Sequence, residues 1–99
     1  MTLTARVQIV NRKGLHARAA AKLVKTAAQY SAHVRVARLM GAGESGDPVP
    51  SVAAGSILGL LMLAAEMGVE IELTAEGSDA AEAIQALTSL IARKFDEEE

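Results

Sequence analysis

The sequence predicts an α/β (α+β) fold of two layers, an open-faced sandwich in the order β-α-β-(β)-α-β-α with the helices on one face of the sheet. Three observations predict it. Stretches near residues 3–10, 33–39 and 69–74 alternate apolar and polar residues, the period of a strand with one buried face. Between and after them, apolar residues recur at helical spacing. Turn-forming residues separate the two patterns, and no internal repeat or linker interrupts the 99 residues.

In the first strand, Leu3, Ala5, Val7 and Ile9 share one side against Thr4, Arg6 and Gln8. Asn11-Arg12-Lys13-Gly14 is a turn signal. From Ala17 to about Tyr30, Ala20, Leu23, Val24, Ala27 and Tyr30 make a helical stripe in alanine-rich sequence. His33 to Leu39 alternates again. In residues 40–51, Pro48 and Pro50 remove ladder donors, so any strand around Val49 to Ala53 is short and at a sheet edge. Ser56 is placed to cap a helix from Ile57 to about Met67, stopped by Gly68. Val69, Ile71 and Leu73 alternate with Glu70, Glu72 and Thr74 as the last strand. Asp79 and Glu82 then resemble a capping box opening a final helix, with Ala80, Ala83, Ile84, Leu87 and Ile91 as its stripe. Asp96-Glu97-Glu98-Glu99 is read as a frayed acidic end.

Ninety-nine residues, 51% of them hydrophobic, fit one domain over 1–99 with one core and little room for a deep cavity. The absence of cysteine excludes disulfides, thiolate nucleophiles and Cys-ligated zinc. No signal-peptide pattern opens the chain, and no apolar run approaches the roughly 20 residues of a membrane span. A cytoplasmic protein without a membrane partner is expected. Charge is lopsided: residues 1–43 hold eight bases and no acid, whereas all 12 acids lie from Glu44 onward with only Arg93 and Lys94. Either one surface meets something negative, or folding interleaves the two halves.

Gly14-Leu15-His16-Ala17-Arg18 sits where a strand has ended and a helix begins. The first N–H groups of a helix lack intrahelical partners and carry the positive end of its dipole, so they form an anion site. A histidine at that border can present a nucleophilic ring nitrogen, and Arg18 offers a charged fork that matches phosphate. Gly14 lets the backbone bend closely behind it. On these grounds alone, a capping histidine that binds nothing stays open.

Asn11-Arg12-Lys13-Gly14-Leu15-His16-Ala17-Arg18-Ala19-Ala20 resembles the phosphorylation-site signature of HPr, the histidine phosphocarrier family of the bacterial phosphotransferase system. Gly55-Ser56-Ile57-Leu58-Gly59-Leu60-Leu61-Met62-Leu63, with Gly68 and the strand after it, resembles the family's second signature. Leu60-Leu61-Met62-Leu63 and Phe95-Asp96-Glu97-Glu98 are more similar to its nitrogen branch, NPr, than to the sugar-transport branch. The resemblance implies a four-stranded antiparallel sheet of order 1-4-2-3 under three helices. It further implies a carrier rather than an enzyme, working as a monomer without cofactor or metal. His16 would be phosphorylated on Nδ1 by an Enzyme I-type protein charged from phosphoenolpyruvate, and an EIIA-type protein would take the group. Arg18 and the backbone amides of Ala17 and Arg18 would steady it.

Three departures from the family pattern stand out. Ala19 replaces a usual proline, restoring an N–H in the first turn. Gly55 replaces a frequent lysine before Ser56, the serine that HPr kinase modifies in some members; here a plain helix N-cap is the preferred reading of Ser56. The segment between Met40 and Pro50 is longer than usual. Ile57, Leu58, Leu61 and Met62 cannot all face inward, so they are expected to form a docking patch beside His16, with Lys22 and Lys25 as its charged rim. The bland alternative packs Leu60, Leu63 and Met67 inside and leaves the others merely exposed.

Gly41-Ala42-Gly43-Glu44-Ser45-Gly46 spells a dinucleotide-binding pattern, but Asp47-Pro48-Val49-Pro50 follows it instead of a helix. His33 lacks ligands at metal spacing and is expected at a strand end. With only Tyr30 and Phe95 aromatic, stacking platforms for nucleic acid are missing. The alternative to a carrier is a regulatory binding module acting through the Ser56 helix surface.

Overall fold

A computed structural model describes residues 1–39 and 50–97 of the chain. The alternating stretches form β1 (Thr2–Gln8), β2 (His33–Arg38) and β4 (Glu70–Glu76), and a two-residue β3 (Val52–Ala53) completes one antiparallel sheet of order β1-β4-β2-β3. β4 is central because it alone alternates fully buried residues (Ile71, Leu73 and Ala75) with acids and a threonine. Full burial of one such leucine contributes about 1.5–3 kcal/mol. β1 pairs with it from Thr2↔Glu76 to Gln8↔Glu70, and β2 pairs on its other side from His33↔Glu76 to Arg38↔Ile71. β3, next after Pro50, lies at the edge, as the prolines require.

The helices α1 (Ala17–Ala27), α2 (Ile57–Met62) and α3 (Ala80–Ala92) share the core with one face of the sheet. Ala19, Ala20 and Leu23 of α1 meet Val34 and Val36 of β2 and Ala83, Leu87 and Ile91 of α3 in that core. The opposite face interleaves the two charged halves of the chain. Arg6 on β1 stands opposite Glu72 on β4, and the pair bonds at 3.2 Å.

Four expectations are corrected. The second helix stops at Met62 rather than near Met67, because Ala64 turns left-handed (φ 52°) and Leu15 N–H takes the carbonyl of Ala65 at 2.8 Å. Gly68 instead serves the turn into β4, donating its N–H to Ile9 O at 2.7 Å, and Met67 is exposed. Asp79 precedes α3 but its carboxylate caps nothing there. It accepts the N–H groups of Ser31 and Ala32, both at 2.8 Å, and so fastens the α1–β2 turn. The C-terminal end is not frayed through Glu97. Lys94–Asp96 forms a 3₁₀ turn with three consecutive positive φ angles, and Phe95 is fully buried at its centre. The segment of residues 40–49, with its glycine pattern, and Glu98-Glu99 of the acidic end lie outside the described residues.

Candidate functional site

Three interactions fold the backbone in front of α1 back on itself. Gly14 N–H donates to Asn11 O at 3.1 Å, the Asn11 side-chain amide donates to Gly14 O at 2.8 Å, and His16 N–H donates to the same carbonyl at 2.9 Å. Gly14 takes φ +69°, a left-handed conformation that favours glycine. Leu15 is buried and bonded to Ala65, so the loop is locked to the segment following α2.

This lock puts His16 at the N-cap of α1 in extended backbone, with no side-chain cap bond. Its carbonyl takes the first helical bond, from Ala20 N–H at 2.8 Å. The N–H groups of Ala17, Arg18 and Ala19 are therefore left without helical acceptors, and the first turn carries no acidic residue. The imidazole is 27% exposed, so it is neither in the core nor free in solvent. Its Nε2 contacts Oε2 of Glu97, while Nδ1 has no hydrogen bond to a described residue. Arg18, exposed on the first turn, makes no ion pair among the described residues. Nucleophile, free amides and guanidinium thus occur within three consecutive residues, an arrangement able to take a phosphoryl dianion.

Sequence reasoning missed two residues here. Asn11, read only as a turn former, is fully buried and donates its amide both to Gly14 and to Glu97 Oε1, the latter at 2.6 Å. Glu97 was placed in a frayed tail, yet its side chain is only 10% exposed. Burial pushes the Glu97 carboxyl upward, but the Asn11 hydrogen bond, the His16 hydrogen bond, the charge of His16 whenever its ring is protonated and the charge of Lys13 outweigh it. The net result lies below the ordinary glutamate value, so Glu97 stays ionised. The signal for this was Phe95, one of only two aromatic residues, standing just before the acids.

α2 packs against α1, and Ile57, Leu58, Leu61 and Met62 are all exposed, Leu58 and Met62 to about 70%. Leu60 and Leu63 pack inside as the bland reading had it. Of the two rim lysines, Lys25 is exposed on the last turn of α1. Lys22 is instead half-buried and donates to Phe95 O at 2.5 Å, so it is occupied in holding the tail. Ser56 caps α2, its hydroxyl accepting the N–H of Gly59 at 3.0 Å. His33 is exposed at the start of β2. Among the described residues no group of three His, Asp or Glu side chains could hold a metal, and no helix is long and apolar enough to cross a membrane.

Residues 3–93 match the family model described as the PTS HPr component phosphorylation site. The HPr of Pseudomonas aeruginosa is 43% identical over 93 residues, which cover 94% of each chain. The NPr of Shewanella violacea is 41% identical over 95 residues, 96% of this chain and 94% of its own. An HPr from Thermoanaerobacter tengcongensis superposes with a TM-score of 0.80 at 38% identity, covering 98% of this chain and 99% of that one. The chain belongs to the HPr family: it is a phosphocarrier of the phosphotransferase system, a relay member and not an enzyme.

Proposed function

We propose that His16 Nδ1 is the carrying atom. It takes the phosphoryl group from a phosphoenolpyruvate-charged Enzyme I-type protein and yields it to an EIIA-type protein. The observation that carries this reading is the N-cap position of His16, with Nε2 engaged and Nδ1 without a hydrogen bond among the described residues, beside a helix start whose amides lack helical acceptors. The backbone N–H groups of Ala17 and Arg18 and the Arg18 guanidinium receive the phosphoryl oxygens. Because the donor already carries an activated group, the chain need supply only a positioned nucleophile and a cradle.

Partners dock on Ile57, Leu58, Leu61 and Met62, with Lys25 on the charged rim. The chain acts as one HPr-like domain over 1–99, as a monomer and in the cytoplasm. We assign it to the nitrogen branch on the likeness of Leu60-Leu61-Met62-Leu63 and Phe95-Asp96-Glu97-Glu98 to that branch; identities of 43% and 41% to an HPr and an NPr do not by themselves choose.

Incubation with Enzyme I-type protein and phosphoenolpyruvate is expected to label His16 and to leave His16→Ala unlabelled; label on another residue overturns the assignment. Run side by side with sugar-branch and nitrogen-branch Enzyme I, the same assay decides the branch. The exposed patch also suits a regulatory module acting through the Ser56 helix. Partner binding that survives His16→Ala but fails in Met62→Glu would identify that role.

A further inference from the structure

We infer that Glu97 is a positioning residue for phosphoryl transfer, holding the proton of His16 on Nε2 so that Nδ1 keeps its lone pair and the phosphorylated ring stays labile. The inference deepens the carrier reading and rests on His16 being the phosphorylated residue. Glu97 lies beyond residues 3–93, the span that the family model matches.

The contact is built from four sides. Glu97 Oε2 meets His16 Nε2, and Oε1 takes the amide of buried Asn11. The Asn11 amide must face this way, because its two neighbours here, Gly14 O and the Glu97 carboxylate, are both acceptors. Phe95 anchors the backbone two residues earlier in the core, and Lys22 holds its carbonyl. The turn itself is strained. Lys94, Phe95 and Asp96 all have positive φ, a conformation that costs an L-residue about 1–2 kcal/mol. A tail free to fray would relax there; this one stays bent, with its carboxylate on the imidazole.

A carboxylate is an acceptor only, so the atom it meets must carry the hydrogen. With Nε2–H bonded to Glu97, neutral imidazole has its lone pair on Nδ1. When Nδ1 attacks phosphorus, the Nδ1–P bond forms and the donor's bond to phosphorus breaks, its electron pair leaving with the donor. Nε2 keeps its hydrogen, and the ring becomes cationic next to the Glu97 carboxylate. On outward transfer the acceptor attacks phosphorus, and the Nδ1–P electron pair returns to the ring, which ends as neutral imidazole with Nε2–H unchanged. No proton need be gained or lost in either direction. The protonated ring is the better leaving group. Without Glu97, no carboxylate holds the Nε2 hydrogen on the phosphorylated ring, and a ring that loses it is a poorer leaving group, so the P–N bond becomes harder to break.

Two measurements on wild type, Glu97→Ala and Glu97→Gln test this. In ring-nitrogen NMR of the unphosphorylated protein above neutral pH, wild type is expected to show a protected Nε2–H. Glu97→Ala loses that protection, and Glu97→Gln, whose carbonyl still accepts, retains it. The phosphorylated His16 of Glu97→Ala is expected to hydrolyse about tenfold more slowly than wild type, the size of a lost charge-assisted hydrogen bond, with Glu97→Gln between them. A hydrolysis lifetime unchanged in Glu97→Ala overturns the inference, as does a wild-type ring with its hydrogen on Nδ1. If wild type takes no label at His16, the carrier assignment itself fails, and the ring spectrum still judges the contact with Glu97.

Discussion

Gly14 lies against the carbonyl oxygen of Ala65 so closely that a Cβ at position 14 would stand 2.7 Å from that oxygen and 2.8 Å from Cα of Glu66. Both obstacles are backbone, so no side chain can swing aside. The same carbonyl accepts Leu15 N–H, which fixes the loop that carries His16. Gly14→Ala combines a left-handed alanine with overpacking and is expected to destabilise the fold by about 2–4 kcal/mol. Urea unfolding measures the loss, and phosphotransfer at low temperature, where the variant stays folded, is expected to fall with it.

Ser56 spends its hydroxyl on the N–H of Gly59. Ser56→Ala removes the cap and is expected to cost about 1 kcal/mol, read as a lower denaturant midpoint. Label at His16 is expected to be unaffected, since the serine touches none of the phosphate-holding groups. Ser56→Asp, which also caps, is expected to recover most of the stability.

Asp79 makes stability depend on acid. Its carboxyl is held below its ordinary value first by Ser31 N–H, against a smaller desolvation effect, with Ala32 N–H adding to the lowering. A depressed folded-state value means stability that is fully present above the unfolded value and lost as pH falls through the folded one. Asp79→Ala is therefore expected to melt below wild type at about pH 5, with the gap closing towards about pH 2. Asp96 and Glu97 are lowered too, so the variant keeps part of the acid slope. A gap that widens on acidification would contradict this account.

Ala19 is the third residue of α1, and its N–H precedes the first helical bond. Proline there forfeits no ladder bond and restricts the unfolded chain, a gain of about 0.4–1 kcal/mol, partly offset by the bias it places on Arg18. Ala19→Pro is expected to transfer phosphate at a similar or higher rate than wild type. Transfer lost from a folded variant would show that the Ala19 amide helps to hold the group.

Short-range rules carried most of this fold, and long-range partners carried the rest. Alternation located β1, β2 and β4; Pro50 placed β3 at the edge; Ser56 capped its helix; and Gly14-Leu15-His16 marked the loop before α1. Each of these is decided by neighbours within a few residues. Asp79 misled because its local offer, a capping box, lost to the amides of Ser31 and Ala32 far back in the chain. The end of α2 misled in the same way, since Leu15 claimed the Ala65 carbonyl. Most of all, Glu97 reads as solvated charge until the chain closes and sets it on Asn11 and His16.

The central place of β4 has a consequence for how the molecule comes into being. β1 is made well before β4, yet among the described residues β4 is its one pairing partner, and the carboxylate on His16 arrives later still. A chain emerging from the ribosome must therefore keep its first strand unpaired until β4 has emerged, and these distant pairings slow folding relative to a helical bundle of the same size. Glu97 is added to the chain after every strand and helix described above, so a chain cut short before it would lack the carboxylate that meets His16.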